Sequence, residues 1–154
     1  MAGRLLGLFL LLLLFSGCSL HSEPVPGTGS AAGAAISRTA LSTIGTRYAY
    51  GGASPSSGFD CSGLVCWSYA KNGLKVPRTT REQSRLGTAV SMGQLRPGDL
   101  VVFRIKSGLH TGIYTGKGRF VHSPSSGKAV RVDEVGSTYW KGKFIAGRRH
   151  AKVY

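Results

Sequence analysis

The order of its segments constrains this chain most. Beyond residue 94 the sequence becomes a series of short β-prone stretches separated by turn residues: "LRPGDLVVFRI", "LHTGIYT", "RFVHSP", "AVRVDEV" and "KFIAGRR". Before them, helical patterns dominate. In "AISRTALSTIG" (residues 35–45), Ile36, Ala40, Leu41 and Ile44 recur at helical spacing and Gly45 stands as a stop. "FDCSGLVCWSYAKNG" (residues 59–73) reads as a second helix, with Asp60 at the N-cap and Asn72-Gly73 as the C-cap signal. Helices first and antiparallel strands afterwards predict an α+β fold, N-terminal helices packed on a small antiparallel sheet, rather than an alternating parallel one. A length of 154 residues suits one core.

The connecting pieces are legible too. "TRYAYGG" is an extended segment ended by Gly51 and Gly52, and "ASPSSG" is a loop. "VPRTTREQSRLG" reads as a turn plus a short helix, with Thr80 and Gln83 at capping-box spacing.

The N-terminus carries an address. Arg4 precedes an 11-residue apolar run, "LLGLFLLLLLF", which is too short to span a bilayer comfortably and right for an export signal. The "SGCS" after it resembles a bacterial lipoprotein processing site, which implies cleavage before Cys18 and lipid on its sulfur. Ser19 in place of Asp resembles the pattern of outer-membrane lipoproteins of Gram-negative cells. The next stretch, rich in Ser, Gly, Ala and Pro, reads as a flexible tether. The expected organisation is a signal peptide over 1–17, a lipidated tether over 18–35 and a domain over 36–154.

With 20 Lys and Arg against 6 Asp and Glu, the formal net charge is +14, which favours anionic surroundings. The basic residues are scattered, and no zinc-finger spacing, RNA-binding signature or phosphate loop accompanies them, so nucleic acid is not the expected partner.

Cys61 and Cys66 lie five residues apart in the second helix. That step rotates about 500°, leaving the side chains roughly 140° apart, whereas a disulfide needs Cβ atoms within about 4.5 Å. A shared metal fails for the same reason. Cys66 falls among the apolar positions with Val65 and Tyr69 and is expected to pack as a small hydrophobe. Cys61 follows the capping Asp, where unpaired N–H groups stabilise a thiolate, and small Ser62 and Gly63 leave room for a substrate. Its base can come from a histidine pair. His110 opens "HTGIY" and His122 closes "RFVH". An odd-numbered loop such as 115–117 places them across the ladder on one side of the sheet; an even loop separates them. Read as metal ligands they lack a supporting third residue, but as base and orienter they supply what a nucleophilic cysteine needs.

Taken in order, "YAYGGASPSSGFDCSGLVCW", "VPRTT", "LRPGDLVVF", "LHTGIYTGKGRFVHSP" and "AGRR" resemble the NlpC-type cell-wall peptidases, papain-like cysteine hydrolases of bacteria, over roughly residues 36–150. The resemblance implies a Cys-His-His triad, with Cys61 as nucleophile, His110 as base and His122 as the orienting third residue. It also implies Tyr48, with Tyr50 as rival, near the oxyanion site, where Ser62 joins it as an oxyanion or substrate-binding residue. The residue after the base, usually Val, is here Thr111, an isosteric change. Arg78, Gln83 and Asp99 match the pattern and are expected to serve structure more than substrate. The implied activity is hydrolysis of an amide in the peptide stem of peptidoglycan, at a D-glutamyl–diamino acid bond or a cross-link. The protein would work without a cofactor, as a monomer in the cell envelope, held to the membrane through Cys18. The alternatives are a non-catalytic wall-binding lipoprotein, or an amidase or acyltransferase on the same scaffold.

Overall fold

A computed structural model describes residues 30–125 and 128–153; the expected signal peptide and Cys18 lie outside them. Helix α1 spans Ala31–Leu41, starting four residues earlier than the periodicity indicates. The side chain of Ser30 accepts from Gly33 N–H at 3.0 Å and caps it. The small residues 31–35, read as the end of the tether, are thus helical, in keeping with alanine's high propensity once a cap is present. Ile36 and Ala40 are buried as expected, but Leu41 and Ile44 are exposed because the helix ends at Leu41.

A small antiparallel hairpin, β1 (Ala53–Ser54) with β2 (Gly58–Phe59), stands where a plain loop was expected. Helix α2 (Cys61–Ala70) follows, capped by Asp60 as predicted. Beyond it, Gly73 takes φ +74°, and Leu74 N–H bonds Tyr69 O at 3.0 Å. Helix α3 is Thr80–Gln83, and here the expected cap shifts by one residue. Thr79, not Thr80, caps it, and Glu82, not Gln83, is the partner. Gln83 is withdrawn into the interior instead.

The rest is one six-stranded antiparallel sheet. Its strands are β3 (Thr88–Val90), β4 (Leu100–Ile105), β5 (Gly108–Gly116), β6 (Arg119–His122), β7 (Arg131–Glu134) and β8 (Phe144–Arg149), in the order β3-β8-β4-β5-β6-β7. A 3₁₀ turn at Met92–Gln94 and a short helix α4 (Thr138–Lys141) complete the fold. Sequence reading missed β3 and α4.

Both faces of the central strands are covered, which is why β4 reads as an apolar run rather than an alternation. Leu100 and Ile113 join Ile36, Leu64, Val65 and Tyr69 in a core beneath α1 and α2. Val101 and Phe103 face the other way, into a second core with Phe120, Val135 and Trp140. Asp99 is buried at the sheet's margin, its carboxylate accepting from Arg149 and from Arg96 N–H.

The start of α2 is seated by a close backbone contact. A Cβ placed on Gly63 would lie 2.0 Å from Gly52 O, an oxygen that also accepts Asp60 N–H at 3.0 Å. Gly63→Ala gains about 1 kcal/mol of helix propensity but must push two backbones apart. The expected outcome is a net loss of about 1–3 kcal/mol in urea unfolding; a variant as stable as wild type would refute the contact.

Candidate active site

Cys61 is the first residue of α2 and is half-buried. The cap beside it is tied on several sides. Asp60 Oδ1 accepts Gly63 N–H at 2.6 Å, and Oδ2 accepts Gly51 N–H at 3.0 Å. Arg78 pairs with Asp60 at 2.8 Å and donates to Ser62 Oγ at 2.8 Å, while the Ser62 hydroxyl donates to Asp60 Oδ1 at 3.1 Å. Although burial pushes the Asp60 carboxyl up, bonds from Arg78, Gly63 and Ser62 bring it below its usual range. These groups wall a cleft of about 510 Å³ that Cys61, Tyr48 and Tyr50 also line. Arg78 therefore borders open space as well as serving structure. The Ser62 hydroxyl is committed to Asp60 and Arg78; its backbone N–H is the part that acts on the sulfur.

Of the two tyrosines, Tyr48 is the better anchored. Its N–H bonds Lys128 O at 2.8 Å, whereas Tyr50 is 94% exposed. The Tyr48 hydroxyl is harder to ionise than usual through burial, then the nearby Cys61 and Asp60 charges.

The Cys61 thiol is raised, first by burial and then by the charge of Asp60, against bonds from Thr111 N–H, Ser62 N–H and the Thr111 hydroxyl. The helix terminus alone thus leaves it protonated at neutral pH, and a base is needed. The Thr111 hydroxyl has one hydrogen, which the sulfur shares with Gln83 Oε1, 2.9 Å from the hydroxyl oxygen. Buried Gln83 donates in turn to Ser62 O at 3.0 Å and Pro77 O at 2.8 Å. Cys66 is half-buried rather than fully packed, its thiol 3.1 Å from Pro77 O. Both cysteines are free.

His110 and His122 lie on one side of the sheet, diagonally rather than face to face, but not through the expected odd loop: β5 and β6 are joined by the two residues 117–118, and a register shift between Tyr114 and Gly116 restores the common side. Ile113 pairs with Val121 and Tyr114 with Phe120, a register that continues to Gly112 opposite His122. A Cβ on Gly112 would come 3.1 Å from the His122 Cβ, so glycine makes room for that ring. His110 Nε2 and His122 Nδ1 are 2.8 Å apart. The far nitrogen of His122 meets a residue the sequence reading missed: Asp133 on β7, whose Oδ2 is 3.0 Å from His122 Nε2. Arg131 and the Trp140 indole also donate to that oxygen. The Trp140 ring stacks on His110 at 5.5 Å and 21°.

Burial lowers His110 to about 3, with His122 adding to the effect and Asp133 opposing it. Burial likewise lowers His122 to about 4 against the charge and hydrogen bond of Asp133. Both rings are therefore neutral at pH 7. Strand alternation turns Thr111 toward α2 and His110 toward Phe103 and Trp140, and no hydrogen bond joins Cys61 to His110 among the described residues. Catalytic contacts of this kind often tighten only around a substrate. A larger cleft, about 710 Å³, lies beyond the histidines and is lined by Lys106, Lys128, Arg131, Tyr139 and Trp140. Among the described residues no three His, Cys, Asp or Glu side chains are grouped to hold a metal ion.

A sequence profile of the NlpC/P60 family matches residues 45–149. The chain is 36% identical over 115 residues to the murein DD-endopeptidase MepH of Escherichia coli, a match covering 71% of this chain and 42% of that protein. It is 40% identical over 115 residues to the bifunctional muramidase/DL-endopeptidase CwlT of Bacillus subtilis, covering 72% and 34% respectively. It thus spans less than half the length of these curated relatives. The solved structure of an NlpC/P60 family protein from Bacillus cereus superimposes with a TM-score of 0.72 at 30% identity, over 79% of this chain and 41% of that one. The likeness extends to the expected papain-like α+β architecture.

The depressed histidines make stability pH-dependent with a definite sign. Folded values of about 3 and about 4 lie below the ordinary 6.5. The folded chain therefore holds fewer protons than the unfolded one between those limits. Their stabilising contribution is complete above pH 6.5 and is lost on acidification. From pH 7 to 5 the loss should be on the order of 1–2 kcal/mol per imidazole. Thermal melts across that range check it, and a His110→Gln/His122→Gln chain should show a flatter slope; an unchanged slope would assign the effect elsewhere.

Proposed function

Because the chain belongs to the NlpC/P60 family, we propose that it is a cysteine hydrolase of peptidoglycan, cutting an amide in the peptide stem with a Cys61, His110, His122 triad. The observation that carries this reading is the meeting of two independent elements. A cysteine at a helix N-terminus in an open cleft lies against Thr111 of β5, next in sequence to buried His110, which is linked to buried His122 on β6.

In the proposed reaction His110 Nδ1 takes the thiol proton while Sγ bonds to the amide carbonyl carbon. The resulting oxyanion is held by the Cys61 N–H and the Tyr48 hydroxyl. Collapse breaks the C–N bond, and His110 returns the proton to the departing amine. Water, deprotonated by the same ring, then hydrolyses the thioester, releasing the acid and restoring the thiol. The two endopeptidase names carry different bond designations, DD and DL. Both a D-glutamyl–diamino acid bond and a cross-link are accordingly candidates. The Lys106, Lys128 and Arg131 cleft and the net charge of +14 suit the carboxylates of such stems. The export signal and a lipid on Cys18 would hold the domain beside the wall, at the outer membrane in a Gram-negative cell.

Digestion of purified muropeptides read by mass spectrometry tests the activity. Wild type should give cleaved stems and Cys61→Ala essentially none, a loss on the order of 10⁴-fold or more; indistinguishable digests would end the hydrolase reading. Cys66→Ala should remain within about threefold of wild type, with a stability loss of about 1 kcal/mol for its hydrogen bonds. Inactivity of that variant with the fold intact would mean that the wrong sulfur has been chosen. In cell fractionation Cys18→Ala should leave the lipid-anchored pool, and unchanged membrane extraction behaviour would count against the anchor.

A further inference from the structure

Three hydrogen-bond donors converge on one oxygen at the far end of the histidine pair. Asp133 Oδ2 lies 2.9 Å from Trp140 Nε1, 2.9 Å from Arg131 Nη2 and 3.0 Å from His122 Nε2. An indole N–H and a guanidinium can only donate, so the atom at that point must be an acceptor. His122 Nε2 must therefore carry its hydrogen, which leaves His122 Nδ1 with a lone pair. Across the 2.8 Å contact, His110 Nε2 must then donate. The one nitrogen of His110 left with a free lone pair is Nδ1.

We propose that Asp133 is a positioning residue that sets the direction of this chain, so that His110 presents a bare Nδ1 to the Cys61 thiol. The proposal rests on the hydrolase reading above for its purpose, but not for its geometry. The opposite polarity would put the His110 hydrogen on Nδ1, where the ring cannot take a proton from sulfur. It would also set two lone pairs against each other at 3.0 Å between His122 and Asp133.

Burial makes the choice binding. His122 is 0% and His110 3% exposed, so bulk water cannot supply alternative partners for either ring. Asp133 stays ionised: burial pushes its carboxyl up, but Arg131 and Trp140 more than compensate. Trp140 serves twice, since its N–H feeds Asp133 while its ring lies flat against His110. The polarity of the base is thus decided two residues away from it, on a different strand. The role resembles that of the third residue in a serine-protease triad, which also holds its base in one tautomer.

The test begins with ¹⁵N shifts of the histidine rings in the detergent-solubilised full chain at pH 7. Wild type should show His110 and His122 both protonated at Nε2 and bare at Nδ1; a His110 hydrogen on Nδ1 would overturn the proposal. Asp133→Ala should let His122 populate both tautomers and lower kcat on muropeptides by about 10–100-fold, with KM within about threefold. Asp133→Asn can place its carboxamide oxygen where Oδ2 sits and accept the same three bonds. It should keep the wild-type tautomers and recover kcat to within about tenfold. An Asp133→Ala chain with wild-type tautomers and kcat would likewise refute the assignment. The wild-type spectrum decides even if Asp133→Ala does not fold. It also needs no substrate, so failure of the hydrolase reading and failure of this one are told apart.

Discussion

The carboxylate of Asp60 ties together every piece of chain that shapes the cleft. It caps α2 through Gly63, holds the preceding loop through Gly51 and draws in Arg78 from the segment ahead of α3. The cap is worth about 1 kcal/mol by analogy with other helices. The Arg78 pair adds little energy, since its guanidinium is well exposed. Its importance is geometric: without Asp60 the start of α2, the Tyr48 loop and Arg78 lose their common anchor. That arrangement has an electrostatic cost. The negative charge beside Cys61 raises its thiol, so the group that places the sulfur also opposes its ionisation.

The histidines carry the counterpart of this conflict, since the burial that leaves them uncharged also makes them weaker bases. Burial keeps both rings neutral, and a neutral ring is a proton acceptor. The second core supplies the burial: Phe103, Phe120 and Trp140 pack around the rings while α1 and α2 cover the opposite face of the same strands. β5 separates the two environments. Its alternation gives Thr111 to the sulfur and His110 to the aromatic side.

Much of this was legible in the sequence because it depends on local chemistry. Asp60 before a helical run, Gly73 after it and the strand-turn succession beyond residue 94 all act within a few residues of themselves. The same locality separated Cys61 from Cys66, whereas the common side of the two histidines was left to loop parity and is set by a register shift between Tyr114 and Gly116. What escaped was set at longer range. The start of α1 looked like linker because Ala and Gly serve both purposes, and only docking distinguishes them. Thr79 and Thr80 are equally good caps on paper, and the choice follows from Gln83 being pulled inward to Thr111 and Pro77. Asp133 was hidden by register. It joins His122 only because β7 pairs with Arg131 opposite His122, and nothing in the intervening loop declares that alignment.

The sheet order has a consequence for when the molecule can work. β8 is the last strand among the described residues, yet it lies between β3 and β4, which come much earlier in the sequence. The Ser30 hydroxyl at the head of α1 likewise donates to Val153 O. A chain emerging in order can form the β4-β5-β6-β7 meander early, but β3 has no neighbour until β8 arrives. Such late, long-range closure is slow compared with forming hairpins. Synthesis and folding are thereby separated in time: the finished sheet becomes possible only once β8 has been made, so a chain that stops short of it leaves β3 and one edge of β4 unpaired.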